Sequence, residues 1–153
     1  MQLSRTLFLA SVLTCQVAPA QAPAVVLRAD ALEHYQRVEN ELRQATPPAD
    51  PAVRARRLAV LDALRDYRLA GVLGVNGRFP GQRQPYFVDD TGRRCAVAWL
   101  LDRTGHGELT ERVAARHNHA WVADLAGEPA FRAWLDEHGL TLAEAARIHV
   151  PGS

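Results

Sequence analysis

The chain has 153 residues, 48% hydrophobic and 23% charged, with 18 basic against 17 acidic side chains. That is one ordinary domain with enough apolar material for a core, and it excludes a disordered, collagen-like, disulfide-dense or multi-span membrane chain. Every basic residue is an arginine, so Schiff-base and catalytic-lysine chemistry are ruled out.

Residues 1–20 read as an export signal. Arg5 gives a positive start, Thr6 to Thr14 an apolar centre, and two small-x-small sites predict cleavage after Ala20 or Ala22. The apolar stretch falls short of the roughly 20 residues that span a bilayer. Val12-Leu13-Thr14-Cys15 offers a lesser alternative, a lipid anchor on Cys15, although Thr14 stands where such motifs carry a smaller residue. Residues 21–29 are then a leader and 30–150 a single helical domain. Its location is periplasmic or secreted.

Asp30 with Glu33 predicts a capping box opening a first helix, with Leu32, Tyr35, Val38 and Leu42 at helical spacing. Thr46-Pro47-Pro48 stops it. Asp50-Pro51 starts a second helix, whose inward face is read as Leu58, Leu61, Leu64 and Tyr67 and whose end is Gly71. The two form an antiparallel hairpin. Residues 54–94 hold nine arginines against four aspartates, and Arg54, Arg56, Arg57, Arg65 and Arg68 are read as a solvated helix face. No zinc-finger, homeodomain or RNA-binding signature accompanies them, so nucleic acid is not the expected partner.

Residues 71–94 are a long Gly/Pro-punctuated connection, the kind of loop that often binds or covers a site. Tyr86-Phe87-Val88 is a short strand candidate and Asp89-Asp90-Thr91-Gly92 a turn. Ala96 to Leu101 is apolar all round and so buried. Helices follow at Glu108–Arg116 and Pro129–His138, with an apolar patch at Trp121, Val122 and Leu125 between them. Thr141 with Glu144 caps the last helix, Leu142 to Ile148, and Pro151-Gly152 stops it. The fold class is mainly α: about six helices, the long loop and one short hairpin.

Several runs carry a resemblance: Phe79-Pro80-Gly81, Pro85 to Asp89, Gly92 to Val97, Asn118 to Val122 and Gly139 to Ile148. Together they resemble a set of small exported bacterial proteins with no established activity. The resemblance spans roughly residues 65–150, the bulk of one domain. It implies export and a single domain, and it assigns no catalytic residue.

Cys95 is the only cysteine left once the signal is removed, so the mature chain has no intramolecular disulfide. Its first reading is a small apolar residue entering the buried Ala96–Leu101 segment. Its second is a reactive thiol at a helix start beside Arg93 and Arg94, where the dipole favours thiolate. His106, His117 and His119 supply possible bases. Cys, His, then Asn or Asp is the order of papain-like hydrolases, but these histidines follow only 11 to 24 residues after Cys95. Pairing between chains is a third reading.

His117-Asn118-His119 with His106 and Cys95 also suggests zinc or copper. Positions i and i+2 on a helix diverge, however, so no metal set is assigned. Asp89 and Asp90 could hold a hard cation, but ordinary turn chemistry explains them equally. Trp99, Trp121 and Trp134 are read as core.

The expectation is therefore an exported binding module rather than an enzyme, needing no cofactor. Its partner is a protein or peptide in the extracytoplasmic space. The expected binding residues are Arg78, Phe79, Arg83, Tyr86, Asp89, Asp90, Arg93 and Arg94. The alternatives are a Cys95-dependent enzyme, acting by acyl transfer or thiol redox chemistry, and a Cys/His metal protein.

Overall fold

The computed structural model describes residues 23–79 and 82–149. The expected export signal, both expected cleavage sites and Cys15 lie outside them. The described chain is mainly helical: α1 (Pro23–Gln44), α2 (Pro51–Ala70), α3 (Ala96–Arg103), α4 (Gly107–His117), a 3-10 helix (Val122–Gly127), α5 (Pro129–Glu137) and α6 (Leu142–His149). Among the described residues, none of these helices is long and apolar enough to cross a membrane.

The second helix starts and stops as its sequence dictates. The Asp50 carboxylate accepts the Ala52 and Val53 amides at 2.7 and 3.0 Å, and Pro51 follows at a position that needs no N–H. Gly71 ends the helix in the left-handed conformation, φ 60°. The first helix differs from expectation. It begins at Pro23, so Asp30 lies inside it and the leader from residue 23 is helical. The Arg28 guanidinium reaches the Gly71 carbonyl at the far end of α2, a tertiary contact that supports the upstream turns.

The pairing between α1 and α2 runs in opposite directions along the two helices. Arg43 meets Asp62 at 2.7 Å, Glu39 meets Arg68 at 3.5 Å, and the Tyr35 and Tyr67 rings cross edge to face 5.4 Å apart. This is the expected antiparallel hairpin. Its inner face needs one correction: Leu58 is 47% exposed, and Arg57 is buried in its place. The Arg57 guanidinium binds Glu144 through two bonds of 2.7 and 3.1 Å and donates to the Gly139 and Leu42 carbonyls. A charge this deep is tolerable only when paired and fully hydrogen-bonded. The expected solvated arginine face holds for Arg54 and Arg65, which are exposed, while Arg56 and Arg68 are half-buried, Arg56 donating to the Glu137 carbonyl and Arg68 reaching Glu39.

The third helix is the centre of the domain. Ala96, Val97, Ala98, Leu100 and Leu101 are all buried, which explains a segment apolar on every side. Around it pack Leu61, Leu64, Phe87, Phe131, Trp134 and Ile148. Only part of the tryptophan expectation holds. Trp134 is buried and donates to the Thr104 hydroxyl, Trp99 is half-buried and donates to the Ala63 carbonyl, and Trp121 is 38% exposed. The last helix opens on the predicted capping box, with Thr141 and Glu144 satisfying each other's amides at 2.8 and 3.2 Å.

Candidate functional site

The 71–94 connection has neither helix nor strand among its described residues, yet side chains hold its backbone in one course. Asn76 starts this. Its carbonyl oxygen accepts the Phe79 amide, and its amide group donates to the Phe79 and Gln82 carbonyls, all within 3.0 Å. Asp89 is the second tie. One carboxylate oxygen accepts the Thr91 amide, the Thr91 hydroxyl and the Arg93 amide; the other accepts the Val75 amide at 3.0 Å. Partial burial opposes the charge, but these bonds hold the Asp89 carboxyl below the usual carboxylate range. Gly92, at φ 80°, completes the predicted Asp89–Gly92 turn with its amide on the Asp89 carbonyl.

The expected strand reduces to an isolated antiparallel bridge between Val88 and Arg94. Its missing neighbour is replaced by Asn118. The Asn118 side-chain oxygen accepts the Phe87 and Val88 amides, and its amide group donates to the Val88 carbonyl at 2.9 Å. The Asn118 backbone carbonyl also accepts the Phe87 amide. One asparagine thus serves as a partner strand, the accounting that buried backbone groups require. Beneath it Phe87 is fully buried, and its carbonyl accepts the Cys95 amide. Tyr86 packs its ring on Gly74 so closely that a Cβ there would fall 2.6 Å from it.

The histidines separate. His119 joins the loop: its Nδ1 bonds the Pro85 carbonyl at 2.9 Å, and its ring meets Phe79 edge to face at 5.3 Å. His117 is exposed at the end of α4. His106 turns toward α5, with Nδ1 on the Thr104 carbonyl and Nε2 3.4 Å from Glu137. Among the described residues no three His, Cys, Asp or Glu side chains are grouped to hold a metal ion. The Cys95 set with His106 and His117 or His119 is therefore not assembled.

Cys95 caps α3 rather than sitting in its first turn, and its sulfur accepts the Ala98 amide at 3.4 Å. Burial pushes the thiol up to about 12, against the opposing pull of nearby backbone amides. The expected electropositive neighbours do not rescue the thiolate. Arg94 points to Asp102, 3.0 Å away, and to Glu111, while Arg93 is exposed. The helix-start argument is right about the amide and wrong about the dielectric.

Of the eight expected binding residues, Arg78, Tyr86, Asp89 and Asp90 line one depression of about 30 Å³, with Val75, Asn118 and His119 beside them. Phe79 joins through His119. Arg78 and Asp90 form an exposed pair at 2.9 Å, whose mutual attraction water largely screens. Arg83 and Arg93 are exposed, and Arg94 is drawn away toward α3 and α4. The depression has room for one small group, far below the roughly 300–1,000 Å³ of a small-molecule pocket. The sequence does not single out Val75, and it offers Asn118 as the Asn of a Cys–His–Asn order and as part of the His117–His119 run, not as a tie for the loop, since its partners lie 30 residues upstream. Comparison with protein-family models, curated proteins and solved structures finds no match to this chain.

Proposed function

We propose that this chain is an exported binding module that recognises a protein or peptide through the outer surface of residues 71–94. One observation carries the reading: the loop is held in a single shape by Asn76, Asp89, Asn118 and His119 while Val72, Val75 and Arg78 stand out from it. Val72 and Val75 are 55% and 57% exposed. A surface ordered before it meets its partner loses less conformational entropy on binding, so more of the contact energy appears as affinity. The mix of valine, arginine and a screened Arg78–Asp90 pair suits a partner's side chains better than a buried substrate. A Cys95-based reaction draws no support from a thiol that is 5% exposed and held protonated by burial.

The test is photo-cross-linking. A photoreactive residue in place of Arg78 should give a discrete adduct from an extracytoplasmic extract, and one in place of the exposed Arg132 on α5 should not. Equal labelling from the two positions, or none from Arg78, would overturn the reading.

A further inference from the structure

Two buried histidines meet at the last turn of α6. His34, on α1, is 6% exposed; its Nε2 bonds the Arg147 carbonyl at 2.8 Å, and its Nδ1 faces the Arg37 guanidinium at 3.2 Å. That geometry fixes the protonation state. A guanidinium only donates, so Nδ1 must accept, and Nε2 must carry the proton given to Arg147. His149 is 4% exposed, its ring lies tilted against Phe87 with centroids 5.0 Å apart, and neither ring nitrogen makes a well-formed hydrogen bond among the described residues. Phe87 is the residue whose backbone Asn118 and Cys95 tie down. The α6 terminus is thus joined to the root of the 71–94 loop by one imidazole and to α1 by another.

We propose that the end of α6 is an acid-opened clasp on the loop, closed while His34 and His149 are neutral and released when they take up protons. A proton on His34 Nδ1 would remove its bond from Arg37 and set two cations side by side. A proton on His149 would place an unpaired charge against a phenyl ring. Two other ionisable groups at the turn are already committed. Arg147 is paired with Glu41, and Glu144 is held by Arg57. On the loop side, the nearby Tyr86 backbone favours the charged form of His149, but by less than burial opposes it.

Burial lowers both histidines, His149 from 6.5 to about 4; for His34 the Arg147 carbonyl offsets part of the burial, and Arg37 and Arg147 add to it. Folded values below the ordinary one mean that the closed form is favoured above about pH 6.5 and loses ground as pH falls toward 4. From pH 7.5 to 5, His149 alone should raise the ratio of open to closed roughly 30-fold. The clasp is independent of what the loop binds.

Cys95, itself buried and bonded through its amide to the Phe87 carbonyl, is a built-in reporter. Its labelling by a dipyridyl disulfide, which reacts in acid, would be followed from pH 7.5 to 5 against the denatured chain, with far-UV circular dichroism on the same samples. The expected result is a rise of about 30-fold or more in relative accessibility at constant helical signal. The variant His34→Gln keeps a donor for Arg147 and an acceptor for Arg37, and His149→Leu removes the second titration; together they should hold the rise below about threefold. No rise in the wild type, an equal rise in the variant, or a rise that tracks loss of helix would overturn the proposal. A direct NMR titration of His149 in the wild-type chain tests the clasp even if the variant fails to fold: a value well below 6.5 is expected, and one at or above 6.5 refutes it.

Discussion

The helical frame and the 71–94 loop lie side by side and are held by different forces. In the frame, α3 is enclosed by apolar side chains, and the buried charges are matched: Arg57 by Glu144 and two carbonyls, Glu39 by Arg43 and Arg68. In the loop, Phe87 is the fully buried apolar anchor, and polar side chains standing in for secondary structure do the rest: Asn76, Asp89 and Asn118. The frame's order therefore follows from burial and is shared among many contacts. The loop's order hangs on a few directional bonds, each of which can be removed alone. A surface that must keep its shape and stay open to a partner can be built this way, because hydrogen bonds to the backbone leave outward side chains uncommitted.

Four substitutions break or sharpen that contrast. Arg57→Ala leaves Glu144 with the Thr141 bonds alone, removes the guanidinium from the Gly139 and Leu42 carbonyls, and should cost about 3 kcal/mol in chemical denaturation, with loop amides unaffected until the whole domain unfolds. Asn118→Ala removes the side-chain acceptor of two amides and should cost about 2 kcal/mol, read as faster exchange centred on Val88, since the Phe87 amide keeps the backbone carbonyl of residue 118. Gly74→Ala drives a methyl into the Tyr86 ring and should cost about 1–2 kcal/mol, seen as a changed tyrosine environment in near-UV circular dichroism with the helical signal intact. Asp50→Ala removes the α2 cap and should cost about 1 kcal/mol of global stability, leaving the loop as it is.

Much of the frame was legible in the sequence because its signals are local. Asp50-Pro51, the Thr141–Glu144 box and the uniformly apolar Ala96–Leu101 run each act within a few residues, and each does what local chemistry predicts. The failures are tertiary. Periodicity favours Leu58 over Arg57 on the inner face because nothing local shows that Glu144, 87 residues on, supplies the counter-charge. The start of α1 is misplaced by the sequence because Asp30 and Glu33 look like a cap whether or not Arg28 finds Gly71. At the candidate site, composition identifies the loop and the Asp89 turn. Asn118 is hidden between two histidines whose letters suggest a metal, and the helix dipole draws attention to Cys95 when its burial decides its chemistry.

The central claim is that residues 71–94 keep one shape through side-chain bonds to the backbone. It is tested most directly by residue-resolved amide exchange at neutral pH. The account predicts slow exchange at Phe87, Val88, Asp89, Arg93 and Cys95, each of which donates a bond of 3.2 Å or shorter. It also predicts that Asn118→Ala opens Val88 while Phe87, still held by the backbone carbonyl of residue 118, and Arg93, held by Asp89, stay protected. Exchange of all five in the wild type at the rate of an unstructured peptide would contradict it.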